Sequence, residues 1–214
     1  MALLIKICGI TNLDDANAAV DAGADALGFM FYRSSKRFIE VSVARSLVEQ
    51  LPARIAKAGV FVNPTDAEVH EVIAATGIDT LQFHGEETPE FCSRFRPLRI
   101  WKAFRMESAE SLRVVRRFPE ADAWLLDSHV AGNHGGTGHG FDWDLAITAK
   151  LKGRPVILAG GLNPDNVAAA VAHVQPFGID VSSGVESSPG KKDHGKIAAF
   201  IAAARSAVAA LSKS

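Results

Sequence analysis

Apolar residues fall along the chain in eight short bursts, separated by longer stretches in which they recur at helical spacing. The bursts read LLIKIC, ALGFMF, AKAGVFV, DTLQF, RIWKAF, AWLLD, PVILAG and GIDVSS, each the length of a strand buried on both faces. The intervening segments carry helix-start signals, because a side-chain oxygen at the cap satisfies backbone N–H groups that the first turn leaves free. Thr65 to Glu68 has the pattern of a capping box. Thr88 with Pro89, and Asn163 with Pro164, each put a capping residue before a proline at the first helical position. An alanine-rich helix is expected from about Asp193 to Leu211.

Strand and helix alternate about every 25 residues, which predicts an α/β fold of the closed (β/α)8 TIM-barrel type. An open, doubly wound sheet is the rival. It calls for fewer strands and a G-x-G-x-x-G turn after the first one, where this chain has only CGIT. No linker or shift in composition divides the 214 residues, so residues 1–214 are expected to form a single barrel domain.

Composition narrows the partners. Apolar residues make up 48 % and charged residues 22 %, with 23 basic against 24 acidic side chains and a formal net charge of -1. No basic run offers a surface for nucleic acid or an anionic membrane, and no apolar stretch reaches the roughly 18 residues of a membrane span. Two distant cysteines make no disulfide framework, and the start of the chain lacks an export signal, so a cytoplasmic protein acting on small molecules is expected.

In such a barrel reactive groups gather at the C-terminal ends of the strands. Strand one ends in Cys8, strand two leads to YRSSKR with Arg37, and strand four ends in QFHGEE with Gln82 and His84. Strand six ends in Asp127, and strands seven and eight run into LAGGLNPDN and DVSSGVESSPG. Those last two loops hold Gly160, Gly161, Ser182, Ser183 and Gly184, where backbone N–H groups and close approach would suit a phosphate. Simple tight turns are the competing reading of these glycines. A P-loop does not fit, since GVESSPGKK has the wrong glycine spacing and Lys192 at the Ser/Thr position.

Cys8 and Asp127 would face each other across the mouth, a pair suited to acid and base catalysis. A buried structural cysteine and a capping carboxylate are the competing readings. Lys6, two residues before Cys8 on the same strand face, is expected to lower the thiol's pKa. Cys92 lies in an amphipathic segment and reads as helix packing. The glycine-rich SHVAGNHGGTGHG after strand six reads as a lid, and its His129, His134 and His139 have no spacing that defines a metal site. No metal site is expected there.

Taken together, KICGIT, QFHGEE, GGTGHGFDW, LAGGLNPDNV and DVSSGVESSPGKKD resemble, in order and along the whole chain, the phosphoribosylanthranilate isomerase family of tryptophan biosynthesis. The resemblance implies an Amadori rearrangement of N-(5'-phosphoribosyl)anthranilate without metal or organic cofactor. It also implies Cys8 as general base, Asp127 as general acid, and Arg37 as the partner of the anthranilate carboxylate. Gln82 and His84 take substrate-lining places, and the partner is a phosphorylated small molecule, bound by a monomer or homodimer. The family usually has SPR where this chain has SKR, so Lys36 replaces a proline beside Arg37. The runner-up, the histidine-pathway sugar isomerase, calls for a second phosphate loop and a carboxylate on strand one.

Overall fold

The computed structural model describes residues 3–106, 108–127 and 143–212. Its strands are β1 Leu4–Cys8, β2 Ala26–Met30, β3 Ala56–Phe61, β4 Thr80–Phe83, β5 Arg99–Arg105, β6 Ala123–Asp127, β7 Val156–Ala159 and β8 Gly178–Val181. They pair in chain order as one closed parallel barrel of eight strands. The ring closes where β1 meets β8, with Leu4 opposite Gly178 and Lys6 opposite Asp180. Outside lie α1 Leu13–Ala22, α2 Val41–Val48, α3 Asp66–Thr76, α4 Pro89–Ser93, α5 Ser111–Val115, α6 Trp143–Lys150, α7 Val167–Val174 and α8 His194–Leu211.

Alternation along each strand sends side chains to two separate cores. Ile5, Ile7, Leu27, Phe29, Phe61, Phe83 and Leu126 face the helices, each fully buried or nearly so. Burying a side chain of this size is worth about 1.5–3 kcal/mol, which is what binds the helical layer to the sheet. The narrow interior takes small residues, Ala26, Ala58, Ala103, Ala123 and Ala159, around Trp101, Leu125 and Ile157. The Cys92 side chain is buried in α4, as helix packing requires.

The helix starts follow the sequence signals with one exception. Thr65 and Glu68 form the reciprocal capping box of α3, Thr88 caps α4 ahead of Pro89, and Asp193 caps α8. Asn163 instead closes a turn, accepting hydrogen bonds from the backbone N–H groups of Asp165 and Asn166, and regular helix begins only at Val167. The reason is reciprocal: Asn166 Oδ1 accepts the Asn163 N–H at 2.9 Å, which holds the turn shut before α7 can start.

A short antiparallel hairpin, β9 Glu186–Ser188 and β10 Lys191–Lys192, follows β8 and was not evident from the polar ESSPGKK. It docks on the opening of the barrel. Thr11 Oγ1 donates to Gly190 O at 2.8 Å, and the Lys192 N–H donates to Asp15 Oδ2 at 2.9 Å. No helix among the described residues is long and apolar enough to cross a membrane.

Candidate active site

Cys8 is the last residue of β1 and is buried, its backbone in register with Gly28 of β2. A Cβ on Gly28 would lie 2.7 Å from Cys8 Sγ and 3.1 Å from Lys6 Cε, so only glycine leaves room for both side chains. Lys6 is completely buried, and its ammonium donates to Asp180 Oδ1 at 2.8 Å. Burial pushes the Cys8 thiol up from its ordinary range; the Lys6 charge pulls it down and the Asp180 charge pushes it up again, for a net rise. The expected lowering by Lys6 is therefore present but outweighed, because the ammonium is shared with Asp180 and the thiol has left water.

Asp127 ends β6 two residues beyond the inward-facing Leu125 and so projects into the barrel mouth. His84 directly follows β4, and its Nε2 lies 3.3 Å from Asp127 Oδ2. The His84 ring is thus placed against the aspartate. Gln82, inside β4, is buried with Oε1 lacking a hydrogen-bond partner among the described residues, an acceptor turned into the barrel.

The chain around His84 is pinned from behind by groups that the sequence reading did not pick out. Glu87 accepts the N–H groups of Asn63 and Gly85, and Lys102 Nζ donates to Gly85 O at 2.7 Å while lying 3.2 Å from Glu87 Oε2. Both charges are almost fully buried. The signal available was a lysine within the apolar RIWKAF, where a charge must find a partner or be expelled.

Arg37 follows β2 and packs its aliphatic stem over Gly9, where a Cβ would come within 2.9 Å of Arg37 Cδ. Its guanidinium forms a two-pronged pair with Glu186: Nε donates to Oε1 at 2.8 Å and Nη2 to Oε2 at 2.6 Å. The same carboxylate receives Lys192 Nζ at 3.0 Å, and Lys192 also donates to Ser182 O. These contacts, with burial opposing them, hold the Glu186 carboxyl below its usual range.

The two glycine-bearing loops come together beyond β7 and β8. Gly160 and Gly161 have left-handed backbone angles, φ 82° and 66°, which the absence of a Cβ permits. Gly184 is different: a Cβ there would fall 1.9 Å from Leu162 O, so its bareness lets the loop after β8 press against the loop after β7. Ser182 Oγ is buried and lacks a hydrogen-bond partner among the described residues, while Ser183 is exposed. The lid segment, with His129, His134 and His139, lies outside the described residues.

The sequence matches the family model for N-(5'-phosphoribosyl)anthranilate (PRA) isomerase over residues 5–203. An N-(5'-phosphoribosyl)anthranilate isomerase from Citrifermentans bemidjiense is 49 % identical over 201 residues, covering 94 % of this chain and 96 % of that protein. The crystal structure of phosphoribosyl anthranilate isomerase from Thermotoga maritima superposes with TM-score 0.90 at 40 % identity, covering 96 % of this chain and 100 % of the other. Another phosphoribosyl anthranilate isomerase was solved in complex with reduced 1-(o-carboxyphenylamino)-1-deoxyribulose 5-phosphate. It superposes with TM-score 0.87 at 39 % identity, covering 96 % of this chain and 100 % of the other.

Proposed function

The chain belongs to the N-(5'-phosphoribosyl)anthranilate isomerase family of tryptophan biosynthesis, and on that premise we propose that Cys8 and Asp127 carry its acid–base chemistry. The reaction is an Amadori rearrangement that turns N-(5'-phosphoribosyl)anthranilate into 1-(2-carboxyphenylamino)-1-deoxy-D-ribulose 5-phosphate. Asp127 gives its proton to the furanose ring oxygen as the C1–O bond breaks, and the nitrogen lone pair forms the C1=N iminium. The Cys8 thiolate then takes the proton from C2, and the freed electrons close a C1=C2 enolamine. Protonation at C1 and loss of the C2 hydroxyl proton complete the ketose. Each well-placed acid or base is worth about 10²- to 10⁴-fold in rate.

The remaining groups hold the substrate by both ends. Arg37 meets the anthranilate carboxylate, for which a planar guanidinium is shaped. Gly160, Gly161, Ser182, Ser183 and Gly184 receive the phosphate, and Ser182 Oγ, without a hydrogen-bond partner among the described residues, supplies a hydroxyl donor. Gln82 Oε1 accepts from a ribose hydroxyl, and His84 orients the Asp127 carboxyl. Both cysteines are free and buried, in keeping with a single-domain enzyme of the reducing cytoplasm.

One observation carries this reading: Cys8 and Asp127 end β1 and β6 at the barrel mouth, one above the Lys6–Asp180 pair and the other against His84. Purified protein given phosphoribosylanthranilate should consume its anthranilate-type fluorescence, and Cys8→Ala should stop this while still binding the reduced product analogue. Cys8→Ala turnover near wild type would return the thiol to core packing.

A further inference from the structure

The two-pronged contact between Arg37 and Glu186 consumes one edge of the guanidinium and leaves the edge carrying Nη1 without a hydrogen-bond partner among the described residues. Glu186 can impose that orientation because it is itself buried and held by other groups. Its residue is 8 % exposed, it begins β9, and its Oε1 also receives Lys192 Nζ at 3.0 Å and the Gly190 N–H at 3.4 Å. Arg37 is only partly covered, with its side chain 24 % exposed, so the buried carboxylate is the fixed member of the pair.

We infer that Glu186 is a positioning residue that aims Arg37 at the substrate carboxylate and so sets selectivity for a carboxyl-bearing aryl amine. The inference rests on the reading of Arg37 given above. The guanidinium is held from outside by Glu186, and its stem rests on Gly9. Through Lys192, which donates to Ser182 O at 3.1 Å, the same carboxylate is tied to the loop proposed to receive the phosphate. One buried side chain thereby fixes the spacing of the two anion-binding ends.

The sign of one substitution separates aiming from bare electrostatics. Glu186→Gln removes a negative charge between Arg37 and Lys192, which by charge alone tightens every anionic ligand. Aiming demands the opposite for the carboxylate end: the amide Nε2 faces a guanidinium N–H, donor against donor, and the fork turns away. KM for phosphoribosylanthranilate should then rise about tenfold, the scale of one charge-assisted hydrogen bond, with kcat little changed. Inhibition by inorganic phosphate should not weaken, which also shows that the loops remain folded. Glu186→Asp keeps the charge but loses one methylene of reach, and should raise KM likewise.

In the Arg37→Met background, Glu186→Gln should add nothing further to KM. An unchanged or lower KM in Glu186→Gln, or an effect that simply adds to that of Arg37→Met, overturns the inference. Arg37→Met with wild-type KM overturns the reading of Arg37 itself, a distinct result visible in the single variant.

Discussion

Lys6 Nζ stands 2.8 Å from Asp180 Oδ1 inside the barrel, and the two residues are register partners on the strands that close the ring. The pair serves architecture and chemistry at once. Its opposite charges let β1 and β8 meet without leaving either charge alone in a dry interior, and it sets the electrostatic surroundings of Cys8. Burial lowers the Lys6 pKa, but Asp180 and Cys8 together raise it further, so the ammonium stays charged beside the thiol.

Asp180→Asn should therefore lower the Cys8 pKa, because it removes a charge that pushes the thiol up and leaves Lys6 facing Cys8 alone. Thiolate absorbance in the ultraviolet, followed against pH with Cys8→Ala as blank, reads this directly. Cys92 does not intrude, since burial pushes its thiol to about 12. An unchanged Cys8 titration would mean that desolvation alone sets the thiol.

Gly184→Ala should be costly in a way that Gly161→Ala is not. The Gly184 Cβ would meet Leu162 O at 1.9 Å and Leu162 C at 3.0 Å, both backbone atoms with nowhere to rotate, so two loops must part. A loss of about 1–3 kcal/mol in urea unfolding is expected, with a raised KM. Gly161 meets nothing within 4 Å, and alanine there pays only for φ 66°, about 1–2 kcal/mol. A wild-type KM in Gly184→Ala would remove Gly184 from the proposed phosphate grip.

Asp15 fixes the hairpin to α1 and should make stability depend on acid pH. Burial alone would raise its pKa, but the Lys192 N–H, His194 and Asn12 outweigh burial, and the net shift is downward. A depressed carboxylate contributes stability above its unfolded value, about 3.9, and loses it as pH falls through the folded value. Asp15→Asn should cost about 1–3 kcal/mol near neutral pH, with the gap to wild type closing in acid. Urea unfolding at a series of pH values checks this; a gap constant with pH would exclude the charge as its source.

The barrel was legible in the sequence because its strands are apolar on both faces and its helix caps are local chemistry. Thr65 reaches Glu68 and Thr88 reaches Phe91 within one turn, so no distant residue is needed to recognise them. The end-of-strand residues Cys8 and Asp127 were legible for the same reason. Glu186 was not, since a glutamate in a polar loop looks solvated until the fold brings Arg37 to it from 149 residues away. Asp180 and Lys6 left a trace, as charges inside GIDV and LIKIC, but their pairing becomes visible only once the first and last strands are known to be neighbours.

The pH dependence of turnover should expose how Cys8 and Asp127 divide the chemistry. On the proposed roles the active form carries a thiolate and a protonated carboxyl together, so kcat/KM against pH should be bell-shaped, with limbs belonging to the pair rather than to either residue. Asp127→Asn removes the proposed acid with little change in shape, and turnover should fall by about 10²- to 10⁴-fold. What remains depends only on the thiolate. A base must lose its proton to work, and burial raises the Cys8 pKa on balance, so the residual rate should climb with pH through a midpoint above the ordinary cysteine range. It should show no alkaline decline, because no acid is left to lose its proton. Fluorescence assays of the wild type and this variant across the same buffers decide the matter. Full turnover with an unchanged bell would reduce Asp127 to a structural carboxylate and pass the acid's role to His84, whose Nε2 already lies 3.3 Å from it.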